Sequence, residues 1–190
     1  QALKDLPEGC LFILDEAYSE FAPASSLPKI EITDARVVRL RTFSKAYGLA
    51  GARVGYAMAE DNLIKSFEKI RNHFGMNRSA QKAAFEALSD NQWLLEMVQK
   101  VENGRQRIYK IAAENNLKSI TSATNFVAID CGKDSNFAKK VLKELISLGI
   151  FVRMPFVSPQ DRCVRVSVGK KRDLDRFEKA LPRALARASK

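Results

Sequence analysis

The segment RTFSKAYGLAGARVGYAMA, residues 41–59, sets the tightest limit on the fold. Three glycines and an arginine follow Lys45 within ten residues, and apolar runs flank the group on both sides. Gly48, Gly51 and Gly55 suit a backbone that bends sharply or passes close to another strand, where a Cβ would interfere. The stretch therefore reads as strand, tight loop and strand. ARVVRLRTFS is the strand before the loop and RVGYAMA the strand after it. Upstream, CLFILDEAY is a short apolar run that ends in acids, which predicts a buried strand with polar groups at its C-terminal end. The proline-broken linker FAPASSLPKIEITD excludes one long helix between the first two strands. Together these segments predict the edge of a larger α/β sheet.

Beyond Ala59 the periodicity turns helical. DNLIKSFEKIRNHF carries Leu63, Ile64, Phe67 and Ile70 at helical spacing, with Asp61 or Asn62 as its cap. NRSAQKAAFEALSD predicts a second helix, and NQWLLEMVQKVENGRQRIYKIAAENN a long third. Gly104 inside that third helix costs about 1 kcal/mol relative to alanine, so a bend is expected there. NFVAIDC, IFVRM and CVRVSVG read as strands, SNFAKKVLKELISLG as a helix ending at Gly149, and KRDLDRFEKALPRALARASK as a last helix. Residues from about 100 onward thus predict a compact α+β unit, joined to the first part by the long helix.

The chain has 190 residues, 46% hydrophobic and 28% charged, a composition that buries a real core. No apolar run reaches the roughly 18 residues that span a bilayer. Cys10, Cys131 and Cys163 are far apart and form no CxxC pair, so neither a metal site nor a disulfide framework is indicated. Each reads as a small buried hydrophobe, which suits a reducing cytoplasm. The net charge of +10 raises nucleic acid as a partner. The bases are scattered among acids with no interleaved aromatics, so solvated surface is the favoured reading. The chain begins in QALKDLPEG, which reads as a helix end and its exit loop, as if cut from something longer.

Two groups of residues carry chemistry. Asp15 stands where a strand ends and needs a hydrogen-bonding partner there. Tyr18 is close enough in sequence to line the same spot, while Glu16 between them is expected to point away. In the loop, Thr42, Ser44 and Arg53 supply hydroxyls and a guanidinium suited to a phosphate. A partly desolvated Lys45 is a good Schiff-base former. The order does not fit the nucleotide P-loop, which needs its glycines before the lysine.

An acid at a strand end, a lysine thirty residues on and an arginine eight further form a more specific pattern. DEAYSEF with TFSKAYGLAGARVGY, and GIFVRMPFVSPQDRCVRVSVG further on, resemble the fold-type I pyridoxal-phosphate aminotransferases, within them the histidinol-phosphate aminotransferase group. The resemblance covers the C-terminal half of such an enzyme. It implies an α/β fold: residues 1–95 as a truncated remnant of the large three-layer cofactor domain, and 96–190 as the small C-terminal α+β domain. It implies that Lys45 binds pyridoxal 5′-phosphate covalently and carries a proton during the reaction. Asp15 would pair with the pyridine nitrogen, Tyr18 with the ring 3′-oxygen, and Thr42, Ser44 and Arg53 with the phosphate. Arg165, assisted by Arg153, would bind the acidic end of the substrate. An amino donor, a 2-oxo acid and a homodimer are implied as partners. IRNHFGMN, with the chain's single histidine His73, departs from the group's pattern and leaves the substrate open between histidinol phosphate and other amino acids. The alternatives are another fold-type I enzyme, such as a threonine-phosphate decarboxylase, or the aminotransferase-like domain of a transcription regulator.

Overall fold

The computed structural model describes residues 2–190, which divide into two compact units at Val98 and Gln99. The first unit holds a three-stranded sheet of β1 (Phe12–Asp15), β2 (Val37–Thr42) and β3 (Gly55–Ala59). β1 pairs parallel with β2, Asp15 opposite Leu40; β2 pairs antiparallel with β3, Thr42 opposite Gly55. α1 (Asp61–Glu68) packs on β3, and α2 (Arg78–Ser89) packs on the turn Ala50–Ala52. The core here is small: Phe43, Val54, Ala80 and Ala84, with Tyr47 and Tyr56 against them.

Several expectations are corrected in this unit. β1 is an edge strand and not a buried one, since Ile13 is 63% exposed, as is Leu11 just before it at 50%. It is bonded to β2 on one side only, and Ile13 faces no covering layer among the described residues, while Phe12 and Leu14 are half-buried. α1 stops at Glu68, and its cap is Glu60, whose carboxylate accepts from the N–H groups of Asn62 and Leu63. His73 therefore lies exposed in the turn after the helix. The helix end read at the N-terminus shows only as turns over residues 2–9, and Gln1 lies outside the described residues. Cys10 is exposed, against the expectation of burial, while Cys131 and Cys163 are buried. Burial pushes the Cys131 thiol up to about 12, which keeps it protonated and inert.

α3 (Asn91–Glu114) begins in the first unit and ends in the second. Its helical run continues unbroken through Gly104, which is buried. A Cβ at Gly104 would strike the Val168 side chain, so this glycine serves close packing. The second unit holds an antiparallel sheet of β4 (Lys118–Ile120), β5 (Phe126–Asp130) and β6 (Cys163–Ser167), with β5 central. β5 and β6 alternate buried and part-exposed residues, the pattern of a sheet with one covered face. Val127, Ile129, Val164 and Val166 meet α3, α4 (Ser135–Ser147) and α5 (Lys171–Ala188) in one core. Asp134 caps α4 by accepting the N–H of Phe137. Gly149, at φ +75°, turns the chain just beyond α4. The three-residue β4 escaped the sequence reading, being too short to show a period. IFVRM forms no full strand; it touches the sheet through one bridge, Arg153 to Arg165. Among the described residues no helix is long and apolar enough to cross a membrane, and no group of three metal-binding side chains occurs.

Candidate functional site

The parallel strands β1 and β2 deliver their C-terminal ends to the same edge of the sheet, where α/β folds commonly place ligands. Asp15 ends β1 there and Thr42 ends β2. Strand alternation and the parallel register put Asp15, Leu40 and Thr42 on one face. Asp15 is exposed, and its Oδ1 accepts the N–H of Ala17 at 2.9 Å. That local bond supplies the hydrogen-bonding partner expected of the carboxylate and leaves its other oxygen available. Tyr18 lies three residues on, and the Lys45 ammonium sits 5.3 Å from the centre of its ring. The acid end of one strand and the lysine loop of the next are thus brought together.

The loop that carries Lys45 is firmly based. Phe43 and Ala46 are buried, which leaves Ser44 and Lys45 between them partly accessible. The Phe43 ring packs 4.9 Å from Tyr47 and 5.6 Å from Tyr56, centre to centre. Backbone bonds close the turn: Phe43 N–H to Val54 O at 3.2 Å, Leu49 N–H to Phe43 O at 2.9 Å, and Gly48 N–H to Lys45 O at 3.0 Å. The Thr42 hydroxyl accepts the N–H of Ser44 at 3.0 Å. Thr42, Ser44 and Arg53 line one open hollow of about 410 Å³, with Arg41, Gly55 and Tyr56 in its wall. Arg53 is exposed, donates to Ala50 O at 2.8 Å and adopts a left-handed φ of +54°, a strained setting for a side chain of its size.

The glycines divide by need. Gly48 has φ +71°. A Cβ on Gly55 would lie 2.8 Å from the Arg41 carbonyl oxygen, a backbone atom that cannot give way. Gly51 has open space around it and an ordinary φ, so the special role expected of it is not there. Gly55→Ala is expected to destabilise the protein by about 1–3 kcal/mol through overpacking, and Gly51→Ala by less than about 0.5 kcal/mol. Urea unfolding of the two variants checks the contrast.

Glu16 turns away from Asp15, as expected, but toward a buried ion cluster that sequence reasoning missed. Its side chain is 3% exposed. Oε1 accepts from Arg39 Nη2 at 2.6 Å, and Oε2 from Arg39 Nε at 3.1 Å and Arg41 Nε at 3.0 Å. Burial works to raise this carboxyl, and the two guanidiniums outweigh it, so it titrates below the ordinary carboxylate range. The available signal was the pair of arginines at alternate positions of β2, which face one side of the sheet.

In the second unit, Arg153 and Arg165 are bridged backbone to backbone, N–H to O, at 3.2 and 2.6 Å. The Arg165 guanidinium lies 4.7 Å over the Phe126 ring. Both arginines border a groove of about 760 Å³ whose apolar wall includes Leu142, Phe151 and Met154. Neither forms an ion pair with a carboxylate among the described residues. Two neighbouring cations without counter-ions are prepared for an anion.

Comparison with known proteins gives a consistent result. The family model described as aminotransferase class I and II matches residues 1–181. A histidinol-phosphate aminotransferase of Geobacillus sp. (strain WCH70) is 38% identical over 187 residues, 96% of this chain and 50% of the relative. Histidinol-phosphate aminotransferase 2 of Carboxydothermus hydrogenoformans is 40% identical over 171 residues, 88% of this chain and 46% of the relative. Among solved structures, the histidinol-phosphate aminotransferase of Sinorhizobium meliloti in complex with pyridoxal-5′-phosphate superposes with a TM-score of 0.93 at 49% identity, over 97% of this chain and 51% of that one. The chain spans about half the length of the curated relatives it matches.

Proposed function

The chain belongs to the class I and II aminotransferase family, and from that premise we propose that it is the lysine-bearing half of a pyridoxal-phosphate-dependent aminotransferase of the histidinol-phosphate group. The observation that carries the reading is the convergence of Asp15, Tyr18 and Lys45 at one sheet edge, with the hollow of Thr42, Ser44 and Arg53 on the same loop. The donor set fits the cofactor: an amine for its aldehyde, an available carboxylate for its ring nitrogen, and two hydroxyls and an uncompensated guanidinium for its phosphate. Bound there, pyridoxal phosphate supplies an electron sink for the bonds at the substrate α-carbon. Lys45 holds the cofactor and moves the α-proton, and Asp15 keeps the ring nitrogen protonated. Tyr18 donates to the ring oxygen. Arg165 and Arg153 take the acidic end of the substrate. Residues 1–95 then form the C-terminal part of the cofactor domain and 96–190 the small domain. The working form is a homodimer in the cytoplasm, with glutamate and 2-oxoglutarate as the second substrate pair.

The test is turnover with a panel of donors by the full-length enzyme that carries this sequence: histidinol phosphate, phenylalanine, tyrosine and aspartate, each with 2-oxoglutarate. The expected result is glutamate and an oxo product, with histidinol phosphate the best donor. Carbon dioxide as the product would point instead to a decarboxylase. The 190-residue chain alone is expected to be inactive or weak, because its relatives are about twice as long.

A further inference from the structure

We infer that Glu16 is a positioning residue for the cofactor site, acting from the opposite face of the sheet through Arg39 and Arg41. The inference rests on the proposed reading of Lys45 and Asp15.

Glu16 directly follows Asp15, so its carboxylate ties down the end of β1 that presents the acid. Its two partners come from β2, and Arg41 stands next to Thr42, where the lysine loop begins. Three hydrogen bonds therefore tie the end of β1 to β2, two from Arg39 in the middle of that strand and one from Arg41 near its end. The backbone adds a fourth tie, the Glu16 N–H to Leu40 O at 2.9 Å. Arg41 also lines the hollow of Thr42, Ser44 and Arg53, and the β2–β3 register sets Tyr56 across from it. A buried carboxylate between two guanidiniums is a costly arrangement when an apolar pair would hold two strands as well. What the charged arrangement adds is a fixed direction for Arg41 and a local charge balance beneath the site. The groups that face Glu16 are Arg39 and Arg41 from β2, with the Tyr56 hydroxyl from β3 beyond Arg41.

The sign of the effect follows from the charges. With Glu16 the cluster carries one net positive charge. Glu16→Gln leaves two, and Arg41→Gln leaves none. The lysine-linked cofactor chromophore is more positive in its protonated form, so added positive charge nearby disfavours that form. In the full-length enzyme loaded with pyridoxal phosphate, the pH midpoint of its visible absorbance is expected to fall by about one unit in Glu16→Gln and to rise in Arg41→Gln. A change in packing alone lowers the melting temperature of both variants without moving the midpoint in opposite directions. If Glu16→Gln does not fold, the direction of the Arg41→Gln shift decides. Midpoints that stay put, or move together, overturn the inference while the Lys45-dependent absorbance stands. Absence of that absorbance from the unaltered enzyme overturns the cofactor reading itself, and this inference with it.

Discussion

Lys45→Ala is expected to remove the visible absorbance of bound cofactor and to lower turnover by at least about four orders of magnitude. On the proposed reading two functions are lost in one substitution, the covalent anchor and the group that carries the α-proton. The fold around the position should survive. Lys45 is only partly buried, and the residues that base its loop are its neighbours Phe43 and Ala46. Its ammonium contacts the Tyr18 ring and, among the described residues, no carboxylate, so the variant leaves no orphaned buried charge. Spectral titration with pyridoxal phosphate and single-turnover kinetics check the two losses separately. An unchanged melting temperature beside lost absorbance assigns the effect to the site. Retained absorbance and turnover would remove Lys45 from its role.

How much of this was legible in the sequence depends on how local the cause is. Gly48 and Gly55 announce a bend and a close approach, and both are found, because the requirement resides in the backbone of the residue itself. Gly51 carries the same letter without the requirement. The cap of α1 was misplaced at Asp61 or Asn62, because the acids Glu60 and Asp61 adjoin and either could cap the helix. The exposure of Ile13 was not legible in the strand itself, since an apolar strand reads the same whether or not a layer covers it; it follows from the resemblance, which makes residues 1–95 a truncated remnant with an uncovered apolar face. The short β4 exists because β5 offers it a hydrogen-bonding edge, and three residues carry no signal of their own. At the site, residue types and spacing pointed to Asp15, Tyr18, Lys45 and the loop hydroxyls. The pairing of Glu16 with Arg39 and Arg41 needs strand register across more than twenty residues, which a single sequence does not supply.

Arg165→Ala is expected to raise the KM for the acidic substrate by about 100-fold while leaving the dissociation constant for pyridoxal phosphate unchanged. A charge-assisted bidentate contact contributes about 2–3 kcal/mol, and a factor of ten corresponds to about 1.4 kcal/mol. The guanidinium is set up for such a contact. Phe126 supports its plane at 4.7 Å, the bridge to Arg153 fixes its backbone, and no carboxylate competes for its donors among the described residues. A lysine at this position keeps the charge but loses the planar fork and its stacking on Phe126, so Arg165→Lys should recover only part of the loss. Arg153→Ala should have the smaller effect. Arg153 is more exposed and stacks on no ring among the described residues, so more of its interaction is shared with water. Removing it also relieves the repulsion between two adjacent cations, which offsets part of the lost attraction. Initial-rate kinetics across substrate concentration, with cofactor binding measured separately, resolve the two contributions. A fall in cofactor affinity in Arg165→Ala would place Arg165 in the cofactor site, and an unchanged KM would leave it as surface charge.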